Sequence, residues 1–135
     1  MADSEESWTS TLINEQLRKR FENHDSAKVT NLAGQTCIAS FMPPKKVITF
    51  EGLAGDNFAG MNNGSKIILN GDAKRFLGNG MHDGEIILNG SCEEGAGHCL
   101  SGGTIVIQGS VDGDAGVSMS NGDLMISGTV RGDIG

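Results

Sequence analysis

Cys92, His98 and Cys99 lie within eight residues of one another and are of the types that bind zinc or make a thiolate nucleophile. Structural zinc sites use four converging ligands, commonly drawn from Cys-x-x-Cys pairs; here there is no such pair and one nearby histidine. A thiolate nucleophile needs an activating base, which His98 beside Cys99 would have to supply. "VDGDAG" at 111–116 has the look of a calcium loop but lacks the further carboxylates and the terminal glutamate such loops use. "GNGMHDG" at 78–84 is not G-x-G-x-x-G, and no G-x-x-x-x-G-K-[ST] occurs, so no nucleotide site is read. No catalytic set, metal site or cofactor site emerges, and the chain reads as a non-enzyme.

These residues sit inside a repeat that dictates their placement. The runs "KIILNG" from Lys66, "EIILNG" from Glu85, "TIVIQG" from Thr104 and "DLMISG" from Asp123 each start 19 residues after the last. Glycine recurs in that register at Gly71, Gly90, Gly109 and Gly128, at Gly78, Gly97, Gly116 and Gly135, and again at 84, 103 and 122. An imperfect unit starts at Val47 and a more degraded one at Lys28, interrupted by Pro43 and Pro44. Residues 28–135 therefore form five or six units of a solenoid. One β-rich run per 19 residues leaves no room for a strand plus a crossover helix. The expected fold is all-β, a single-stranded parallel β-helix of 19-residue coils, with residues 1–27 forming a polar tail and a short helix.

Stacked coils place equivalent residues about 4.8 Å apart, one above another. Alternation along each run then sends Ile67 and Leu69, Ile86 and Leu88, Ile105 and Ile107, and Leu124 and Ile126 inward, continuing Ile48 and Phe50. Ala73, Cys92 and Val111, then Leu77, Ala96, Ala115 and Ile134, are expected to join them. Cys92 thus occupies a core column, Cys99 the small-residue column of Gly80 and Ser118, and His82 a solvent-facing turn with Ser101 and Ser120. Lys74, Glu93, Asp112 and Arg131 form a vertical line with opposite charges adjacent at both ends. The glycines in register imply corners with positive φ or close backbone approach, where a β-carbon is costly.

Ile68, Ile87, Val106 and Met125 should face outward, with Thr49 continuing their line. A solvated face would be polar there, and an exposed apolar stripe marks a contact surface. Either the amino-terminal segment or another protein is expected to cover it. That segment, "SWTSTLINEQLRKRFEN", pairs Trp8 with Leu12 and Ile13 with Leu17 and Phe21 at helical spacing, predicting an amphipathic helix over about 10–22. The helix would either cap the first coil's open edge or lie along the stripe. The chain stops at "TVRGDIG" in mid-repeat, an edge that further chain or a partner would cover.

A formal net charge of −7 disfavours nucleic acid and anionic membrane surfaces as partners. "LRKR" at 17–20 is the one basic cluster and reads as the solvated face of the helix. "MADSEESWTS" lacks a signal peptide's basic start and apolar core, and three cysteines at unrelated spacings fit reduced thiols, so the expected location is cytoplasmic.

The repeat also resembles a known family. "GLAGDNFAGMNNGSKIILNGDAKRFLGNGMHDGEIILNG" (52–90) and "GAGHCLSGGTIVIQGSVDGDAGVSMSNG" (95–122) are similar to the GXGXG domain at the carboxyl terminus of the glutamate synthase large subunit and to its stand-alone archaeal and bacterial versions. The formylmethanofuran dehydrogenase C subunit shares the pattern. The upstream "LAGQTCIASF" and the helix before it fit the stand-alone versions, so the likeness covers most of the chain. The resemblance implies a right-handed β-helix and a non-catalytic scaffold role, packed against glutaminase and synthase modules. The flavin and iron–sulfur cluster belong to the synthase module, and no active-site residue carries over. Family versions usually continue for several more coils past the position of Gly135. That departure favours homo- or hetero-oligomeric association through the carboxyl-terminal edge or the stripe. The alternatives are a C-like subunit of a formylmethanofuran dehydrogenase or formyltransferase/hydrolase complex, and a self-assembling β-helix with no enzyme partner.

Overall fold

The computed structural model describes residues 9–135, which form one helix and eight strands numbered in chain order. The helix is α1 (Ser10–Arg20). Strands β1 (Ser26–Ala33), β2 (Val47–Leu53), β3 (Asn63–Asn70), β4 (Asp83–Leu88), β6 (Thr104–Ile107) and β8 (Asp123–Ile126) make a six-stranded parallel sheet in that order. The two-residue β5 (Cys92–Glu93) and β7 (Val111–Asp112) pair on another side of the coil. Ile67 partners Ile86, Ile86 partners Ile105, and Ile105 partners Leu124. The chain is a parallel β-solenoid of about five turns with 19-residue coils.

The alternating runs place both aliphatic ladders in one continuous interior. Ile48, Ile67, Ile86 and Ile105, and Phe50, Leu69, Leu88 and Ile107, have no solvent exposure. Each such side chain contributes about 1.5–3 kcal/mol by leaving water. Two other inward columns change size in opposite directions down the stack. Phe58, Leu77, Ala96 and Ala115 shrink while Ala54, Ala73, Cys92 and Val111 grow, and all are buried. Close-packed interiors tolerate volume-conserving exchange far better than voids or overfilling, so the narrowing of one column is accompanied over the stack by the widening of the other. Phe58 meets Phe50 edge to face at 5.1 Å between ring centroids where the first column is widest.

The expected register fails in the first coil. Ser26, not Lys28, aligns with Val47, and Lys28 lies beside Thr49. The offset there is two residues longer than the repeat, and part of the excess is absorbed at a bulge between Val29 and Leu32, where Asn31 takes φ 64°. Ile134 also departs from expectation: it belongs to the Ala115 column but is 75% exposed, because no described coil follows it.

α1 caps the first coil, which decides between the two positions expected for it. Thr9 accepts a hydrogen bond from the Leu12 amide at 3.1 Å, satisfying an otherwise free donor at the helix start. Ile13, Leu17 and Phe21 are buried as their spacing predicted, although the helix ends at Arg20 and Phe21 is its C-cap. The expected Trp8–Leu12 pair falls partly outside the described residues. Asn14, 8% exposed, donates to the Cys37 carbonyl and accepts from the Ala39 amide, both at 2.8 Å. In later coils the corresponding amides, those of Ala59, Gly78, Gly97 and Gly116, donate to a carbonyl of the preceding coil. The Asn14 amide group therefore replaces a missing coil. Arg18 donates to the Ser40 carbonyl at 2.9 Å and Arg20 to the Ser26 carbonyl at 2.6 Å. The basic cluster is thus part of the cap, with two of its guanidinium groups engaged by backbone.

Candidate functional site

The corner after Ala54 explains why glycine recurs at alternate positions, as at Gly78 and Gly80 and at Gly95 and Gly97. Three alternate positions per coil have left-handed backbone: Asn57, Ala59 and Met61; then Phe76, Gly78 and Gly80; then Gly95, Gly97 and Cys99. Side chains between them, such as Phe58 and Leu77, point into the tube. A β-carbon at the middle position also points inward: at Gly78 it would lie 2.7 Å from Ile105 Cδ1, a side-chain tip that can turn aside, and Ala59 in the same column carries its β-carbon at φ 57°. At the outer positions glycine alternates with bulk. Phe76 lies over Gly95 and Met61 over Gly80, where added β-carbons would overlap them.

The glycines at 71, 90, 109 and 128 answer a different demand. Gly90, Gly109 and Gly128 lie outside the left-handed region, but a β-carbon on each would run into the carbonyl of the corresponding glycine one coil earlier. At Gly90 that carbon would sit 2.6 Å from the Gly71 carbonyl carbon, backbone against backbone. Polar side chains in the next column hold the corner together. Asp72 Oδ1 accepts from the Ser91 amide at 2.8 Å, Ser91 Oγ from the Ser110 amide and Ser110 Oγ from the Thr129 amide, both at 2.9 Å. The sequence reading overlooked this ladder. Its signal was the register of short oxygen-bearing residues directly after each glycine.

The stack separates the candidate chemical groups. Cys92 faces the interior, and burial pushes its thiol up to about 12, with Asp72 and Glu93 adding to the shift. Cys99 is exposed on the outside of the coil, and Cys37 is exposed as well. His98 is turned edge-on to Phe76, with ring centroids 5.8 Å apart. His82 Nδ1 lies 3.0 Å from Ser101 Oγ on the solvent side, as its column predicted. Among the described residues no three His, Cys, Asp or Glu side chains converge as a metal site would require.

The vertical charge line is corrected in one respect. Glu93 and Asp112 are direct partners in the two-stranded sheet, but Lys74 and Arg131 form no ion pair with them. Among the described residues the pairs are Lys28–Glu51 at 3.3 Å, Lys46–Asp25 at 2.9 Å, Lys66–Glu85 at 3.8 Å and Arg75–Asp56 at 2.9 Å. Arg75 also gives its backbone amide to Asp56 Oδ1 at 3.0 Å. The guanidinium bond and then this amide hold the Asp56 carboxyl below its usual value, and the guanidinium bond together with the Asp56 charge raises Arg75.

The outer face of the six-stranded sheet is the remaining candidate surface. Its central column is Lys28, Thr49, Ile68, Ile87, Val106 and Met125, aligned by the strand register. Ile68, Ile87 and Val106 are half-buried by their stacked neighbours, and Met125 is 53% exposed. α1 is engaged with the first coil and not with this stripe. Beside it runs a polar column in which Asn89 Nδ2 donates to Asn70 Oδ1 at 2.7 Å. Two recesses of about 490 Å³ lie at the ends of the stack, the amino-terminal one of mixed lining that includes Arg20, Lys28 and Asn31, the carboxyl-terminal one apolar. One lies between α1 and β1, against Ile13, Leu17 and Val29; the other is bounded by Leu124, Ile126, Val130 and Ile134. No described helix is long and apolar enough to cross a membrane.

Comparison with protein-family models, with curated proteins and with solved structures finds no match to this chain.

Proposed function

We propose that the protein is a non-catalytic scaffold or interaction subunit, of the kind formed by the carboxyl-terminal β-helix of the glutamate synthase large subunit. The observation that carries this reading is the triplet of alternate left-handed positions repeated from coil to coil, at 57, 59 and 61, 76, 78 and 80, and 95, 97 and 99. That is the backbone geometry a GXGXG spacing encodes, retained even where Phe76, Met61 or Cys99 replaces glycine at an estimated 1–2 kcal/mol each. A backbone held this way gives a rigid stack with sheet faces for other subunits to pack on. The exposed thiols Cys37 and Cys99 fit a reducing, cytoplasmic location. The partners are other protein subunits of glutaminase or synthase type, or a second copy. Nucleic acid and membrane are disfavoured by the net charge of −7.

Purification from the native organism, with metal and flavin analysis of what accompanies the chain, tests this. A flavin- and iron–sulfur-containing partner supports the glutamate synthase relation. A molybdenum, tungsten or formyl-transfer enzyme supports the C-subunit alternative instead. Turnover by the isolated chain would remove the scaffold reading.

A further inference from the structure

The outer sheet face is self-complementary. We propose that two copies of this chain pair through it, face to face, about a two-fold axis parallel to the strands and midway between β4 and β6. The proposal rests on reading the stripe as a contact surface, and it deepens that reading by naming the occupant. A two-fold of this kind reverses the order of coils while keeping each column over itself, so every contact occurs twice.

Three columns then match. In the stripe, Ile68 faces the second copy's Met125 and Ile87 faces its Val106, apolar on apolar along the full length. In the column on one side, Lys66 faces Asp123 and Glu85 faces Thr104. On the other side, Asn70 faces Ser127 and Asn89 faces Gln108. These assignments follow from the strand register, which puts Lys66, Glu85, Thr104 and Asp123 in one line and Ile68, Ile87, Val106 and Met125 in the next. No like charges meet.

Shifting the axis by half a coil in either direction spoils the match. Centred on β4, it sets Glu85 against itself; centred on β6, it sets Glu85 against Asp123. A shift of a whole coil toward the amino terminus, to midway between β3 and β4, sets Lys66 against Glu85 but places the Lys28 ammonium on Met125 and Thr49 on Val106, polar on apolar. Charge excludes the half-coil shifts and apolar matching excludes the whole-coil one, which leaves the register in which Ile68, Ile87, Val106 and Met125 cover one another. Lys66 is free to change partner, because its contact with Glu85 is long, 3.8 Å, and both side chains are over two-fifths exposed.

Four coils at about 4.8 Å and four residues at about 3.3 Å give a face on the order of 20 by 15 Å, at the small end of protein interfaces. The dimer is accordingly weak and concentration-dependent. Sedimentation of the full chain from about 10 μM to about 1 mM, the range in which weak complexes dissociate, reads it directly. The expected result is a mass rising toward twice the monomer. Asp123→Lys, at an exposed position, should weaken association about fivefold or more through two repulsive pairs, and Lys66→Asp with Asp123→Lys should restore it. Val106→Asp should abolish it, with a thermal melt confirming the fold.

A monomer at every concentration overturns the proposal, and so does a dimer unaffected by Asp123→Lys. A dimer lost on Ile134→Asp but kept in Asp123→Lys places the contact at the carboxyl-terminal recess and also overturns it. In either case an enzyme partner recovered with the chain leaves the scaffold reading in place.

Discussion

Replacing Gly90 by alanine isolates the close-approach demand from the conformational one. Gly90 lies outside the left-handed region, so alanine suits its dihedrals, and an unobstructed glycine-to-alanine change would stabilise by about 0.4–1 kcal/mol through the unfolded chain. Here the new carbon overlaps the Gly71 carbonyl oxygen and lies 2.6 Å from its carbon. Neither atom can rotate away, because both belong to the backbone of the adjoining coil. Relief requires separating coils that are joined by the bonds Asn89 N–H to Leu69 O and Ser91 N–H to Asp72 Oδ1, both at 2.8 Å. Overfilling a packed site costs about 1–3 kcal/mol, and a backbone obstacle puts this one at the upper end. For a chain of this size a net loss of about 2–3 kcal/mol lowers the melting temperature by on the order of 10 °C. Gly60→Ala is the control: its β-carbon would meet nothing nearer than Ser40 Oγ at 3.6 Å, and its φ is not left-handed. It should raise the melting temperature slightly. Thermal unfolding of both variants by circular dichroism decides the matter. An unchanged or higher melting temperature for Gly90→Ala, or equal losses in the two variants, would refute the steric reasoning.

Three further outcomes are expected. Asn14→Leu keeps the side-chain bulk but leaves the Cys37 carbonyl and Ala39 amide unpaired, destabilising by about 1–3 kcal/mol; hydrogen exchange should show the Ala39 amide losing protection before Ala59. Iodoacetamide at pH 8 should label Cys37 and Cys99 in the native protein and Cys92 only after unfolding, because Cys92 is buried with its thiol pushed up to about 12; mass spectrometry counts the adducts. Asp56 is held below its ordinary value of 3.8 by Arg75, so its contribution is present above that pH and lost as pH falls through the lowered value. Asp56→Asn should therefore melt below the parent at neutral pH, with the gap closing in strong acid; a gap that persists there would show that the charge is not its source.

The period of 19, the two inward ladders and the outward stripe were legible in the sequence because a stack imposes a local rule. Each residue's environment is set by its column, and identical spacing from Lys66 to Asp123 gives the column without any coordinates. Cys92 was placed correctly for that reason, between Ala73 and Val111. The first coil resisted the same reading. Its bulge at Asn31 and its Pro43–Pro44 interruption break the spacing, so only strand pairing could align Ser26 with Val47. The sequence determined that neighbouring coils repeat, since that follows from periodicity alone. Tertiary structure decided what happens where periodicity ends. It set α1 on the first coil, because Asn14, Arg18 and Arg20 can complete hydrogen bonds that an amino-terminal edge lacks. It also left the stripe uncovered by α1 and the Lys74 line without its ion pairs, the latter because long charged side chains choose partners by reach in space, which spacing along the chain does not encode.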